Sequence, residues 1–323
     1  MPGSTDRPYN PYSRFLRGRF GGRVYRVTVD AGFTCPNVDG SVAVGGCVYC
    51  DNRSFSPNRR LPRRSVREQV AAGVEILGRR YGADRFLAYF QAGTNTYAPV
   101  EKLARLYAEA LEHPAVIGLI VGTRPDCVPE PVLRMLEDHA RRRFVGLELG
   151  LQTVHDRSLV WMNRGHDASA FFDAVRRSAG RGLDLCAHVI LGLPGESHAD
   201  MMATAEAVAA LPLDGVKIHN LHVVRDTPLE AMYRSGSVRM MGRDEYVGVV
   251  CDFLERLPAG VVVHRLSGDA PPDYLVAPEW CLRKQELLRA IEDEFRRRGS
   301  RQGSRFDPKQ PTPTRGAIPL PTV

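Results

Sequence analysis

The chain has 323 residues, of which 43% are hydrophobic and 25% charged, so it can bury a sizeable core as two average domains or as one α/β barrel. No run of about 18 apolar residues occurs, which excludes a spanning helix, and Met1-Pro2-Gly3-Ser4-Thr5-Asp6-Arg7 lacks the apolar stretch of a secretory leader; a cytoplasmic protein with no membrane partner is expected. The formal net charge of +7 comes from arginine clusters at Arg59, Arg60, Arg63, Arg64 and Arg67, at Arg141 to Arg143 and at Arg296 to Arg298, which suit phosphates or simply solvate helix faces.

Residues 1–22 read as an aromatic and basic N-terminal extension. The first strand is expected at Val24-Tyr25-Arg26-Val27-Thr28-Val29, where β-branched residues alternate with polar ones. Ser65, with Glu68 three residues on, opens a helix to about Arg80. Phe86 to Phe90 is the second strand, and Pro99 opens a helix to about His113. The third strand, Val116 to Val121, precedes a helix from Pro131 to Arg141. The fourth strand is Phe144 to Leu149. A fifth at Leu183 to Leu191 is followed by an alanine-rich helix over 197–210, and Val216 to His222 is the sixth. Six β/α units with short connections predict an α/β fold, a partial (β/α)6 TIM-like barrel over 23–240. Helix 243–257, a short strand at Val261 to His264 and helix 280–298 form a C-terminal extension over 241–302, covering the barrel. Residues 303–323, with five prolines, are expected to be a disordered tail.

The chemistry concentrates after the first strand, where Cys35, Cys47 and Cys50 stand in the spacing C-x11-C-x2-C. Zinc modules usually supply four ligands, often as two pairs. Three local thiols instead fit an open 4Fe-4S cluster with one iron free; a zinc site completed from a distance and unrelated thiols remain alternatives. The odd total of seven cysteines argues against a disulfide framework and for a reducing compartment. Cys127, Cys186, Cys251 and Cys281 are scattered and read as core thiols.

The other unusual polar residues also end strands, on the rim where a β/α barrel keeps its active site. Gln91-Ala92-Gly93-Thr94-Asn95-Thr96-Tyr97 follows the second strand and Thr123-Arg124-Pro125-Asp126 the third. Gly150-Leu151-Gln152-Thr153 follows the fourth, Gly192-Leu193-Pro194-Gly195-Glu196 the fifth, and His219 and His222 close the sixth. Arg124 with Asp126 can grip an anionic group or form a loop salt bridge. His188 points into the barrel with Ile190, as a ligand or as a packed core histidine; His166 reads as structural. His219 and Asn220, being neighbours, cannot both face inward.

These motifs resemble the radical S-adenosylmethionine (SAM) superfamily. The resemblance is closer to its YhcC/YtqA branch, through Asp30-Ala31-Gly32-Phe33-Thr34-Cys35-Pro36-Asn37, the Gln91–Tyr97 loop, Lys217-Ile218-His219-Asn220-Leu221-His222 and Gly268-Asp269-Ala270-Pro271. Val38 departs from the arginine usual in that branch. A more distant similarity, to the catalytic subunit of the Elongator complex, runs through Thr123-Arg124-Pro125-Asp126, Glu148-Leu149-Gly150-Leu151-Gln152 and Asn163-Arg164-Gly165-His166, without room for an acetyltransferase domain.

The resemblance implies a 4Fe-4S cluster on Cys35, Cys47 and Cys50, with SAM chelating the fourth iron and cleaved to a 5'-deoxyadenosyl radical. It implies Tyr49 against the adenine, Gly93, Thr94 and Asn95 at the methionine amino group, Glu148 and Gln152 near ribose and carboxylate, and Gly192, Leu193 and Pro194 at the adenine pocket. His188, His219 and His222 are then expected near SAM or substrate, and Arg124 and Asp126 at the substrate. A low-potential, flavodoxin- or ferredoxin-like electron donor is expected. The substrate suggested by the Elongator similarity is the wobble uridine of tRNA. A small metabolite or protein substrate is one alternative; another is a metal-stabilised nucleic-acid-binding or regulatory module without turnover.

Overall fold

The structure is a computed structural model, and it describes residues 7–308. The strands are β1 (Tyr25–Val29), β2 (Phe86–Phe90), β3 (Val116–Thr123), β4 (Phe144–Gln152), β5 (Asp184–Leu191), β6 (Gly215–Asn220), β7 (Val223–Val224), β8 (Val262–Arg265) and β9 (Leu275–Ala277). Seven of them make one parallel sheet in the order β1-β2-β3-β4-β5-β6-β8. Each crossover moves one place along the sheet in the same direction, so right-handed connections curl it into an open half-barrel. β7 and β9 form a separate antiparallel pair near its mouth.

The period of two along each strand divides the core into two layers. Phe86, Ala88 and Phe90, Leu119 and Val121, Leu147 and Leu149, and Val216 and Ile218 face the surrounding helices in the main apolar cluster. Burying each large side chain there contributes about 1.5–3 kcal/mol. The residues between them face the barrel axis. Leu87, Tyr89, Ile120, Phe144 and Val262 meet Tyr12 and Leu16 there. The helix Tyr12–Phe20 thus plugs the bottom of the barrel, and Tyr12 stacks on His264 at 4.0 Å between ring centroids.

The helix Val66–Tyr81 begins as its sequence predicts: Ser65 and Glu68 form a reciprocal capping box, worth about 1 kcal/mol. The C-terminal extension departs from expectation in one respect. Its strand, β8, joins the main sheet beside β6 as a seventh parallel strand. The β-branched run that includes Val262 and Val263 covers the otherwise unpaired edge of β6, a better outcome for buried backbone than an isolated strand. The helix Lys284–Arg298 then packs on Arg243–Arg256. Residues 303–308, expected as part of the tail, pack on the body. Gly303 N donates to Leu254 O at 3.1 Å, and Arg305 pairs with Glu255 at 2.8 Å. Residues 309–323 of that expectation lie outside the described residues.

Candidate functional site

The mouth of the half-barrel opens into a cavity of about 610 Å³. One wall is the cysteine loop. After β1 the chain turns at Cys35, whose carbonyl accepts from Val38 N at 2.7 Å, and a second turn brings Cys50 N to Cys47 O at 2.9 Å. Buried Asn37 locks the loop from behind by donating its Nδ2 to Arg164 O at 2.9 Å. Asn163 returns the grip, donating to Gly46 O at 2.8 Å and Val44 O at 3.1 Å. All three thiols line the cavity as free cysteines, and no other cysteine of the described residues does.

Desolvation by the crowded cavity wall, together with the neighbouring Cys47 and Cys35 sulfurs, pushes the Cys50 thiol up to about 12 although the residue as a whole is exposed. Three adjacent thiolates would repel one another, so a bound cation is what favours the deprotonated form. Arg164 supplies one fixed positive charge. Its guanidinium is buried, donates to Gly150 O at 2.9 Å and comes within 3.8 Å of Cys47 Sγ. A Cβ on Gly150 would lie 2.5 Å from that guanidinium, so a side chain there would displace it.

Facing the thiols is the loop after β2. Gly93 has φ +74°, and a Cβ there would stand 2.6 Å from Phe33 O, so the loop docks on the cysteine loop through bare backbone. Thr94 N donates to Thr34 O at 2.9 Å, while Asn95 Nδ2 donates to Gly122 O at 2.8 Å and leaves its own Oδ1 buried without a partner. Ala92 and Gln152 line the cavity with φ of 80° and 73°, and Asn163, behind the loop, has 54°. Left-handed non-glycine residues cost energy that surrounding contacts must offset. Here three of them gather at one site.

The floor is ionic. Glu148 Oε2 accepts from Tyr89 OH at 2.7 Å, Lys217 Nζ at 2.8 Å and His188 Nε2 at 2.8 Å; Oε1 lies 3.9 Å from Arg26 and 3.6 Å from His264. Lys217 Nζ also donates to Tyr89 OH at 2.7 Å. Burial alone would raise the Glu148 carboxyl, but Lys217 and His188 hold it well below the carboxylate range. Burial lowers Lys217 to about 8 against the pull of Glu148. Burial and the Lys217 charge lower His188 to about 4, so its imidazole is neutral. Glu148, Cys186 and His188 bring ligand atoms within 4.8 Å of one another, yet the Lys217 ammonium already occupies the carboxylate.

Most expected site residues share this cavity: Tyr49 beside the thiols, Gly93, Thr94 and Asn95 opposite, and Arg124, Gln152, His188, His219 and His222 around the rim and floor. His219 Nε2 is buried without a partner, and burial with Arg265 keeps its ring neutral. Burial likewise lowers His222. Asn220 also reaches the cavity but turns its side chain outward, accepting from Gly268 N at 2.9 Å and donating toward Cys281 Sγ at 3.0 Å.

Five expected residues lie off the cavity lining. Glu148 does not line the cavity; its carboxylate sits one layer below, beneath Tyr89, His188 and Lys217. Asp126 does not line it either, because it clamps Arg124 through two hydrogen bonds of 2.9 and 2.7 Å, and Arg124 spends its third on Arg164 O at 2.7 Å. The pair is therefore a brace for the Asn163–Arg164 turn. Gly192, Leu193 and Pro194 also lie off the cavity. Leu193 is buried with Val48, Met162 and Ile190 behind the cysteine loop, and of this cluster Val48 and Leu193 stay off the cavity while Ile190 and Leu221 reach its lining.

Lys217 and Arg164 carry no role in the sequence reading. The inward alternation of Lys217 with His219 is an available signal. Arg164 has none on the rim, since it follows a helix (Asp156–Trp161) rather than a strand.

Comparison with known proteins identifies the family. The Radical SAM superfamily pattern matches residues 42–208, and the Radical SAM C-terminal domain matches 213–297. YtqA of Bacillus subtilis is 39% identical over 309 residues, covering 94% of each chain. YhcC of Escherichia coli K12 is 38% identical, covering 84% of this chain and 87% of that one. The tRNA uridine(34) acetyltransferase of Dehalococcoides mccartyi is 29% identical over 54% of this chain but only 38% of that protein. In fold, the chain is similar to Elp3 of Methanocaldococcus infernus, with a TM-score of 0.67, 19% identity, and coverage of 86% of this chain and 64% of that one. It is also similar to methylornithine synthase, PylB, with a TM-score of 0.52, 13% identity, and coverage of 90% and 86%.

Superfamily members use a 4Fe-4S cluster and SAM, and the donor set here fits them: three thiols on one wall, a buried guanidinium beside them, and unpartnered polar atoms of Asn95 and His219. The chain belongs to the radical SAM superfamily and is a radical SAM enzyme with a 4Fe-4S cluster and S-adenosylmethionine as its cofactors.

Proposed function

We propose that this enzyme applies radical SAM chemistry to the side chain of a tRNA wobble uridine, in the cytoplasm, with electrons from a flavodoxin- or ferredoxin-like donor. The observation that carries the reaction class is the convergence of Cys35, Cys47 and Cys50, and no fourth cysteine of the described residues, on the wall of an open cavity. The tRNA substrate is supported by the partial likeness to the tRNA uridine(34) acetyltransferase. That protein's acetyl transfer is not carried over, since the shared region is 38% of its length.

Bound together, the cluster and SAM supply one-electron cleavage of the sulfonium and hydrogen-atom abstraction. The chain positions and shields. Cys35, Cys47 and Cys50 hold three irons. Arg164 offers a buried guanidinium to the methionine carboxylate, while the Gly93–Asn95 backbone and the unpartnered Asn95 Oδ1 meet its amino group. Tyr49, Ile190 and Leu221 give an apolar face for the adenine, and Gln152 and His219 offer hydrogen bonds to the ribose or substrate. Lys217, His188 and Tyr89 form a rigid polar floor on the Glu148 carboxylate. The Asp269-Ala270-Pro271 segment of the C-terminal extension closes one side and limits water access.

Nucleoside analysis of tRNA from a strain lacking the gene tests the substrate. A changed wobble uridine, restored by the wild-type gene but not by a Cys50→Ala copy, is expected. An unchanged modification profile overturns the tRNA reading and leaves the reaction class standing.

A further inference from the structure

The segment that follows the cysteine loop carries a charge excess that neither the cluster nor SAM uses. It runs from the short helix Asn52–Phe55 through the 3-10 turn Pro57–Arg60 to Ser65. It holds five arginines, of which Arg53 is paired with Asp51 and Asp226, and Arg59 with Asp30. Arg60, Arg63 and Arg64 are exposed and make no ion pair with a carboxylate among the described residues. The nearby Glu68 is spent on the Ser65 capping box.

Their positions differ in a useful way. Arg63 and Arg64 stand with Arg59 around a separate cleft of about 230 Å³, whose one carboxylate, Asp30, is already held by Arg59 at 2.6 Å. Arg60 instead lines the cavity mouth, stacked 5.6 Å over the Tyr274 ring, with half-exposed Phe55 on the same lip. The lip is anchored, because Phe55 O accepts from Gln91 Nε2 at 3.1 Å inside the cavity. An arginine-walled cleft beside a lip of aromatic and guanidinium planes matches a nucleic-acid strand: phosphates in the cleft, an unstacked base at the lip.

Resting on the tRNA reading above, we propose that residues 55–64 are the RNA-docking edge of the active site. Arg63 and Arg64 take backbone phosphates, and Phe55 and Arg60 receive the base turned toward the cavity.

The test is equilibrium binding of the reconstituted holoenzyme to a fluorescently labelled tRNA transcript between about 50 and 200 mM salt. The pair R63E/R64E is expected to weaken binding at least about ten-fold and to flatten the log–log salt slope by about 0.7–0.9 for each phosphate no longer neutralised. R63K/R64K should keep near wild-type affinity, which also controls for folding, and SAM cleavage without RNA should be unchanged in both. If the wild type binds tRNA and R63E/R64E binds it with the same affinity and slope, the docking edge lies elsewhere and the proposal fails while the tRNA reading survives. If the wild type binds no tRNA at the lowest salt, both fall. If R63E/R64E leaves RNA binding intact but slows reduction by an acidic electron-transfer protein, the surface belongs to the donor and the proposal is overturned.

Discussion

The wall and the floor of the cavity are held by different forces. The cysteine loop is fixed mainly through backbone groups: turns at Cys35 and Cys47, and the side chains of Asn37 and Asn163 bonded to carbonyls. The floor is fixed by side-chain charges around Glu148, which takes Lys217, His188 and Tyr89 on one oxygen. Backbone anchoring leaves the thiols free to ligate metal. Ionic anchoring consumes its members, so the floor is a preorganised surface and not a second metal site. The wall should therefore answer to iron and the floor to pH and charge balance.

The largest effect should come from the wall. Cys47→Ala should lose bound iron altogether, beyond the roughly 10–100-fold cost of disturbing an outer partner, as measured by iron and sulfide content after anaerobic reconstitution. Retention of a full cluster would break the contrast. In the floor, Lys217→Met should destabilise the apo-protein by up to about 3–5 kcal/mol, because it removes the nearest cation from the buried Glu148 carboxylate and leaves only Arg26, at 3.9 Å. Lys217→Met with Glu148→Gln should recover much of that in thermal denaturation; simple additivity of the two costs would show that the network is not coupled.

The pH dependence separates the two regions further. Glu148 is held well below 4.5 and His188 is lowered from 6.5 to about 4. Both depressions mean that the folded state binds fewer protons than the unfolded chain. Their stabilisation is present above the unfolded values and is lost as pH falls, from about 6.5 toward 4 for His188 and below 4.5 for Glu148. The His188 part is on the order of 3 kcal/mol at most. His188→Gln should flatten the decline in melting temperature between those pH values, and an unchanged profile would place the acid sensitivity elsewhere.

Arg164→Gln should weaken SAM binding roughly ten-fold, the loss of one charge-assisted interaction, measured calorimetrically on protein with full iron content. Unaltered SAM affinity would confine Arg164 to bracing the loop. The smallest effect is expected at Val38, which is 53% exposed on the wall. Val38→Arg should leave iron content intact and change stability by less than about 0.5 kcal/mol; loss of iron would show that the loop's outer face matters to ligation.

The same contrast decides what can be read from the sequence. Strands β2 and β5, the Ser65 cap and the three cysteines follow from alternation, capping and spacing, all of which are local. The floor is non-local. Glu148 and Lys217 are 69 residues apart, and each looks like an ordinary strand residue until the sheet curls. Glu148 falls at a strand end by the sequence pattern, but β4 continues to Gln152 and leaves it a layer deeper. Arg124–Asp126 is ambiguous in sequence because an anion clamp and a loop salt bridge share one pattern; the two hydrogen bonds between them choose the brace. β8 reads as cover because nothing in a four-residue strand reveals the open edge it fills.

The most direct test of the central claim is anaerobic: reconstitute the protein with iron and sulfide, add dithionite and SAM, and measure 5'-deoxyadenosine. Wild-type protein is predicted to show iron–sulfur absorption and to form 5'-deoxyadenosine, with the product absent for Cys35→Ala, Cys47→Ala and Cys50→Ala. Protein that binds only zinc, shows no such absorption and forms no 5'-deoxyadenosine would contradict the account.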